Sequence, residues 1–151
     1  MQTTLKTLHL FGVCLFIGNI IVSGVWKSMA NRVDDLAGGR FAIRLVNITD
    51  VVFTGLGATL VLAAGHAMAG KHGGIAANPW IWWSYAAFGV SGFLWVAVLL
   101  PIQIRQARLL RIAVSTIPAE YKRLSRIWSV VGVVATLVAL PPLYWMVARA
   151  V

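Results

Sequence analysis

Residues 51–70 read VVFTGLGATLVLAAGHAMAG. The stretch contains no Asp, Glu, Lys or Arg, and Asp50 and Lys71 close it at either end. A helix needs about 20 such residues to cross the hydrocarbon of a bilayer, so Val51–Gly70 reads as a spanning helix. Three more stretches are equally free of charge: Thr7–Trp26, Gly73–Ile104 and Ile127–Ala148. The third begins with a Gly/Asn/Pro turn, so its helix is expected to start near Pro79, with proline in the first turn. The first ends in Val25, Trp26 and Lys27, without the small-residue cleavage site of a secretory signal, and reads as a retained helix.

Composition agrees. Of 151 residues, 60% are hydrophobic and 11% charged, against about half and a quarter in soluble domains. A soluble globular domain, a disordered chain and a disulfide scaffold are thereby excluded. The fold expected is all-α: one four-helix transmembrane bundle over residues 1–151, with helices about 5–30, 41–69, 79–112 and 118–148. Gly38–Gly39 reads as a helix stop before the second of these, and Pro118 with Glu120 as the start of the fourth.

The net charge is +9. Such an excess suggests nucleic acid in a soluble protein, but no basic soluble domain remains once the spans are removed. Lys27, Arg32, Arg40, Arg44, Arg105, Arg108, Arg111, Lys122, Arg123 and Arg126 fall on one side of the bundle. Lys6, Lys71 and Arg149 fall on the other. The positive-inside rule then puts both termini outside in a multi-pass membrane protein. Helix ends extending two to three turns beyond the bilayer are expected on the cytoplasmic side. Trp80, Trp82, Trp83, Tyr85, Tyr144 and Trp145 would mark the outer interface, and Trp26 and Trp128 the inner one.

In lipid, helices associate through small and polar residues. At 3.6 spacing, helix one gathers His9, Gly12, Phe16, Asn19 and Ser23 on one face, helix three Ser84, Phe88, Ser91 and Trp95, and helix four Ser129, Gly132 and Thr136. Helix two offers two faces: Gly55, Thr59 and His66, or Asp50, Thr54 and Gly57. Small residues on both leave homo-oligomer formation, or a membrane-protein partner, open.

Among polar groups, Asn19 is expected to be structural, hydrogen-bonding across helices. Asp50 is expected to favour its helix N-terminus and to pair with Arg44 or Arg126, with a proton-carrying carboxylate as the sharper alternative. His9 and His66 lie about 4.5 and 7.5 Å inward of Lys6 and Lys71, counting along ideal helices. Antiparallel neighbours would bring both imidazoles to one level, and neutral imidazole ligates haem iron or copper. Both are therefore candidate metal and cofactor ligands, haem b being the cofactor considered, with the glycine at position 12 leaving room for a flat ring. Interfacial histidines hydrogen-bonded to water or backbone are the plainer alternative, and His72 is expected to be solvated. Cys14 reads as a small apolar-run residue. Arg105, Arg108 and Arg111 recur every three residues and form a candidate surface for anionic lipid or a protein partner. No nucleotide loop, catalytic triad, paired catalytic carboxylates or zinc helix appears.

Leu5-Lys6-Thr7-Leu8-His9, Gly18, Arg44-Leu45-Val46-Asn47, Trp95 to Gln103-Ile104-Arg105, Tyr121-Lys122-Arg123-Leu124 to Trp128, and Tyr144-Trp145-Met146-Val147 resemble a family of bacterial integral membrane proteins, domain of unknown function number 2269. The resemblance covers nearly the whole chain and implies a multi-pass membrane protein without an assigned reaction. More distantly, the histidine at the start of helix one resembles the CopD-type copper proteins and HemJ-type protoporphyrinogen oxidases. That likeness implies a haem or copper site with His9 as a ligand. Helix three has no lysine of the HemJ kind, and the four methionines are scattered. The functions in view are a haem-binding or redox-associated membrane protein using His9, with His66 as second candidate, and a non-enzymatic membrane subunit or scaffold. A small transporter ranks below both, for want of a broken helix or midplane charge.

Overall fold

A computed structural model describes residues 2–70, 73–76 and 78–149, the side chain of Arg149 excepted. Lys71 and His72 lie outside the described residues. Four helices are long and apolar enough to cross a membrane: α1 (Gln2–Val33), α2 (Leu36–Ala69), α3 (Pro79–Ile112) and α4 (Ala119–Ala148). No strand occurs among the described residues. Each helix has 30 to 34 residues, roughly 45–51 Å at 1.5 Å per residue. Hydrocarbon about 30 Å thick leaves a surplus of several turns per helix.

The link between α1 and α2 is two residues long. Asp34 adopts φ +53°, the left-handed turn that Asp tolerates better than most residues. Asp35 then caps α2, its Oδ2 accepting from Gly38 N at 2.7 Å. This cap explains why α2 starts at Leu36 rather than near residue 41. Gly38 and Gly39 do not stop a helix; they sit in its first turns. Gly39 serves packing instead, since a Cβ there would meet Leu110 Cδ1 at 3.3 Å. Arg40 fastens the same corner by donating to Leu110 O at 2.8 Å and Ala113 O at 2.6 Å, carbonyls that the end of α3 leaves without helical donors.

α1 and α2 cross backbone to backbone. A Cβ on Gly12 would lie 2.8 Å from Leu60 Cβ and 2.9 Å from Gly57 O, and one on Gly57 would lie 2.8 Å from Gly12 O and Phe16 N. The space beside Gly12 is thus filled by α2, not left for a flat ring. Helix two's inward face is settled by the same contact: Asp50, Thr54 and Gly57 are buried, while Thr59 and His66 are exposed.

Two π-helical segments interrupt the regular winding, Asp50–Thr54 in α2 and Trp95–Leu99 in α3. The second has a local cause. Pro101 has no N–H, and its ring crowds the carbonyl four residues back; a widened turn relieves both. The first sets Asp50 and Thr54 on one face. In α4, Pro141 and Pro142 break the backbone ladder after Ala139, and Leu143 N reaches only to Leu140 O at 3.0 Å. The last stretch of α4, with Met146, follows this break.

At the end holding the α1–α2 and α3–α4 links, called the basic end, an apolar core forms from Ile43, Leu110 and Tyr121, with Leu36, Ala107, Leu109 and Ile117 around it. Val46, Leu99 and Trp128 continue it inward. Around the middle, the outer surface is apolar, with Phe93, Val130 and Leu137 exposed. At the end holding the termini, Trp82 and Trp83 stand exposed at right angles, centroids 4.9 Å apart. Trp128 is not an interface marker: it is 8% exposed and points into the bundle.

Candidate functional site

Two cavities occupy the bundle, and Phe16 and Phe88 line both. Their rings are 5.3 Å apart. One cavity, of about 620 Å³, lies toward the termini and is lined by His9, Val61, Gly65, Ile81, Tyr85 and Met146, among others. The other, of about 580 Å³, lies toward the basic end and is reached by Ser23, Arg32, Asp50, Thr54, Trp95 and Trp128.

His9 is 7% exposed. Its Nδ1 lies 3.0 Å from Val61 O. A carbonyl can only accept, so Nδ1 carries the proton in this bond. In the neutral ring Nε2 is then a lone pair, and it faces Met146 Sδ at 3.5 Å. A thioether is also an acceptor, so two acceptors face each other at a cavity wall. Gly65 allows the approach, because a Cβ there would sit 3.2 Å from His9 Cε1. His66 is placed otherwise. It is exposed, and its Nδ1 meets Tyr85 OH at 3.2 Å with the rings edge-on. The two imidazoles thus take separate partners.

Asn19 and Asp50 are brought together. Asn19 Nδ2 donates to Asp50 Oδ1 at 2.7 Å and to Thr54 Oγ1 at 2.9 Å. Gln103 Nε2 donates to Asp50 Oδ2 at 2.6 Å, and Ser23 Oγ approaches Oδ1 at 3.5 Å. Asp50 is 5% exposed. Its direct partners are amides and a hydroxyl rather than Arg44 or Arg126, because the side chain turns into the bundle while both arginines face outward.

One helical turn beyond Ser23, Lys27 is 1% exposed. Its Nζ donates to Gln106 Oε1 at 2.5 Å and stands 4.0 Å from the centre of the Trp128 ring, a cation–π contact. Gln106 Nε2 goes on to Ser125 Oγ at 3.1 Å, and Asn31 Nδ2 reaches the same oxygen at 3.3 Å. Asn19, Ser23, Lys27 and Asn31 thus follow one another at every fourth residue along α1, a file about 18 Å long. Lys27 was expected among the loop cations; helix periodicity continued one step past Ser23 places it inside. Gln103, quoted in the sequence only within the stretch that ends at Arg105, and Gln106 three residues on are the other buried polar residues here that were not singled out as site candidates.

Helix four faces differently from expectation. Ser125, Trp128, Ala135 and Ala139 are buried, whereas Ser129 is exposed and bonds its own backbone at Ser125 O. Ser129, Gly132 and Thr136 still border the second cavity. Arg105, Arg108 and Arg111 are all exposed; Arg105 pairs with Glu120, and the other two form no ion pair among the described residues. Cys14 is exposed and free. No group of three His, Cys, Asp or Glu suited to a metal occurs among the described residues.

A family model described as a predicted integral membrane protein (DUF2269) matches residues 3–150. No curated protein and no solved structure matches the chain significantly.

Proposed function

The chain belongs to the DUF2269 family of predicted integral membrane proteins, and from that premise we propose that it is a cofactor-binding membrane protein that holds haem through His9. The observation that carries this reading is the pair of acceptors, His9 Nε2 and Met146 Sδ, 3.5 Å apart on one cavity. The two lone pairs converge on one cavity wall, where an electrophile could be taken up if the end of α4 that carries Met146 moved back by roughly 1 Å. A proton is one answer, but an imidazolium there finds no carboxylate on the cavity, whose other charged side chain is Lys6. A metal is the other, and the Val61 carbonyl fixes the ring as the backbone acceptor behind a metal-bound histidine does. His9 and Met146 would hold the iron, and Lys6 is the cation available to an acidic substituent. Haem so ligated supplies one-electron transfer. His66, turned to Tyr85, is the alternative second ligand.

The test is optical. Protein purified from haem-replete cells should show a Soret band. His9→Ala should abolish it and Met146→Leu should shift it, while His66→Ala should leave it unchanged. Protein that stays colourless after haem reconstitution would sink the reading.

A second reading rests on a different surface. Arg105, Arg108 and Arg111 form an exposed row along α3, and each basic residue near an anionic leaflet contributes about 1 kcal/mol. As a non-enzymatic subunit or scaffold, the protein would use this edge to hold anionic lipid or an acidic partner. Changing all three to Gln should then reduce copurifying anionic lipid; unchanged lipid content would remove the support. The same charge distribution favours a bacterial inner membrane with both termini outside and the helix surplus on the cytoplasmic side. The apolar core of Ile43, Leu110 and Tyr121, in the style of a soluble protein, supports that placement. Alkaline phosphatase fused after Val151 should be active, and an inactive fusion would reverse the topology.

A further inference from the structure

The cavity toward the basic end and the file along α1 have no part in the His9 site. Among the described residues, Asp50 and Lys27 are the carboxylate and the amine buried in this half of the bundle, where the Tyr121 phenol is buried as well. Ionisable groups inside membrane helices are rare and mark pathways more often than they serve packing. Neither forms an ion pair among the described residues. Each is instead held by neutral groups, Asp50 by Asn19, Gln103 and Ser23, and Lys27 by Gln106 and the Trp128 face.

We propose that Asp50 and Lys27 form a proton-exchanging couple inside the bundle, loaded from the basic end. Three features of the geometry carry it. The carboxyl group is accessible, because Asp50 and Ser23 border a cavity of about 580 Å³ that also reaches Ser28 and Arg32 at the basic end. The carboxyl group sits in a π-helical segment, a distortion found frequently at functional sites. Ser23 is bonded to one group and one helical turn from the other: its hydroxyl approaches Asp50 Oδ1, and it lies four residues before Lys27 on the same inward row. A rotamer change of the lysine stem spans that one turn, about 5.4 Å.

The transfer balances without a redox partner. The Lys27 ammonium gives a proton to the Ser23 oxygen as the Ser23 hydroxyl proton passes to an Asp50 oxygen. One N–H and one O–H bond break, two O–H bonds form, and a charged pair becomes an amine and a carboxylic acid. The charged groups facing Asp50 are few. α1 supplies Lys27, and Arg32 at the far edge of the cavity; the α3 and α4 groups beside Asp50 on the cavity or bonded to it, Gln103, Trp95 and Trp128, are uncharged, and the buried Tyr121 of α4 lies in the apolar core of the basic end. Lys27 is therefore the buried amine available to Asp50 in this half of the bundle.

Infrared difference spectroscopy on the full chain in liposomes tests this without any cofactor. Switching from alkaline to acid buffer should raise a protonated-carboxyl band. That band should shift in wild-type protein carrying ¹³C-aspartate and disappear in Asp50→Asn. Asp34 and Asp35 are solvent-exposed, so their bands lie with those of free carboxyl groups. In Lys27→Gln and in Ser23→Ala, the rise should slow by on the order of 10²-fold. The ¹³C label in wild-type protein decides the carboxyl assignment even if Asp50→Asn does not fold, and Ser23→Ala decides the relay if Lys27→Gln does not. No acid-dependent carboxyl band, a band that persists in Asp50→Asn, or an unchanged rate in Ser23→Ala overturns the couple. A colourless protein that shows the band would fail the haem reading alone.

Discussion

The two halves of the bundle are held together by different means. Toward the termini, α1 and α2 meet at Gly12 and Gly57 with backbone against backbone, and the buried polar side chain of α1 is His9. Toward the basic end, the helices stand apart enough to admit Gln103, Gln106, Lys27 and Asp50, all buried, and hydrogen bonds between side chains join them. In lipid, apolar burial discriminates poorly between helix partners, and association comes from close packing or polar contacts. The bundle uses one device in each half. Each half should therefore fail under a different kind of substitution.

The largest effect is expected in the polar half. Asp50→Leu leaves Asn19 and Gln103 without their acceptor and Lys27 as an unbalanced buried charge, which costs about 3–5 kcal/mol. Reversible unfolding in mixed micelles, followed by circular dichroism, measures it. Adding Lys27→Met should recover part of the loss, because the stranded charge goes too. A double variant as unstable as the sum of the two singles would show that the charges act independently. Next comes the crossing. Gly57→Val places a Cβ 2.8 Å from two backbone atoms, and overpacking of this kind costs about 1–3 kcal/mol. Gly18 lies on the same helix as Gly12, but a Cβ there would enter open space, with nothing within 4 Å. Gly18→Ala should therefore be as stable as the parent or slightly more so. If both glycines respond alike, close packing is not what distinguishes the first half. The smallest effect belongs to Gly65→Ala. Its Cβ would press on His9 Cε1 from 3.2 Å, and turning a ring off its rotamer costs about 0.5–1.5 kcal/mol. Helix propensity returns roughly 1 kcal/mol, so stability should barely change while the His9 imidazole resonances move in NMR spectra.

Much of this architecture was legible before the structure. Absence of charge over twenty residues marks a span whatever the helix packs against, so the four helices follow from composition. The face of α1 was equally plain, since His9, Gly12, Phe16, Asn19 and Ser23 keep one periodicity and all are buried. The face of α3 was legible as far as Trp95, since Ser84 and Ser91 are buried and Phe88 and Trp95 half-buried; that of α2, and of α3 beyond Trp95, was not, because the π-helical segments slip the phase. In α2 the inward residues Val46, Asp50 and Thr54 fall four apart twice in succession; in α3, Ser91, Leu99 and Gln103 keep to intervals of four and eight. A fixed 3.6 period loses register there. Lys27 was hidden by its charge, which read as topology, and Trp128 by its type, which read as an interface anchor. The Met146 thioether opposite His9 depends on the break at Pro141 and Pro142, and no spacing rule carries a residue across such a break.

Phe16 and Phe88 also have an electrical consequence. A cavity filled with water takes nearly the potential of the solution it opens to, so the voltage across a membrane falls mainly over the thinnest insulating layer. Phe16 and Phe88, which line both the Asp50 and the His9 cavity, belong to the layer between them. An elementary charge moved through the full potential gains or loses about 2.3 kcal/mol per 100 mV. With both cavities hydrated, a charge crossing from one level to the other would feel more of that energy per ångström than in a bundle without cavities, and the ring pair would lie where the field is concentrated.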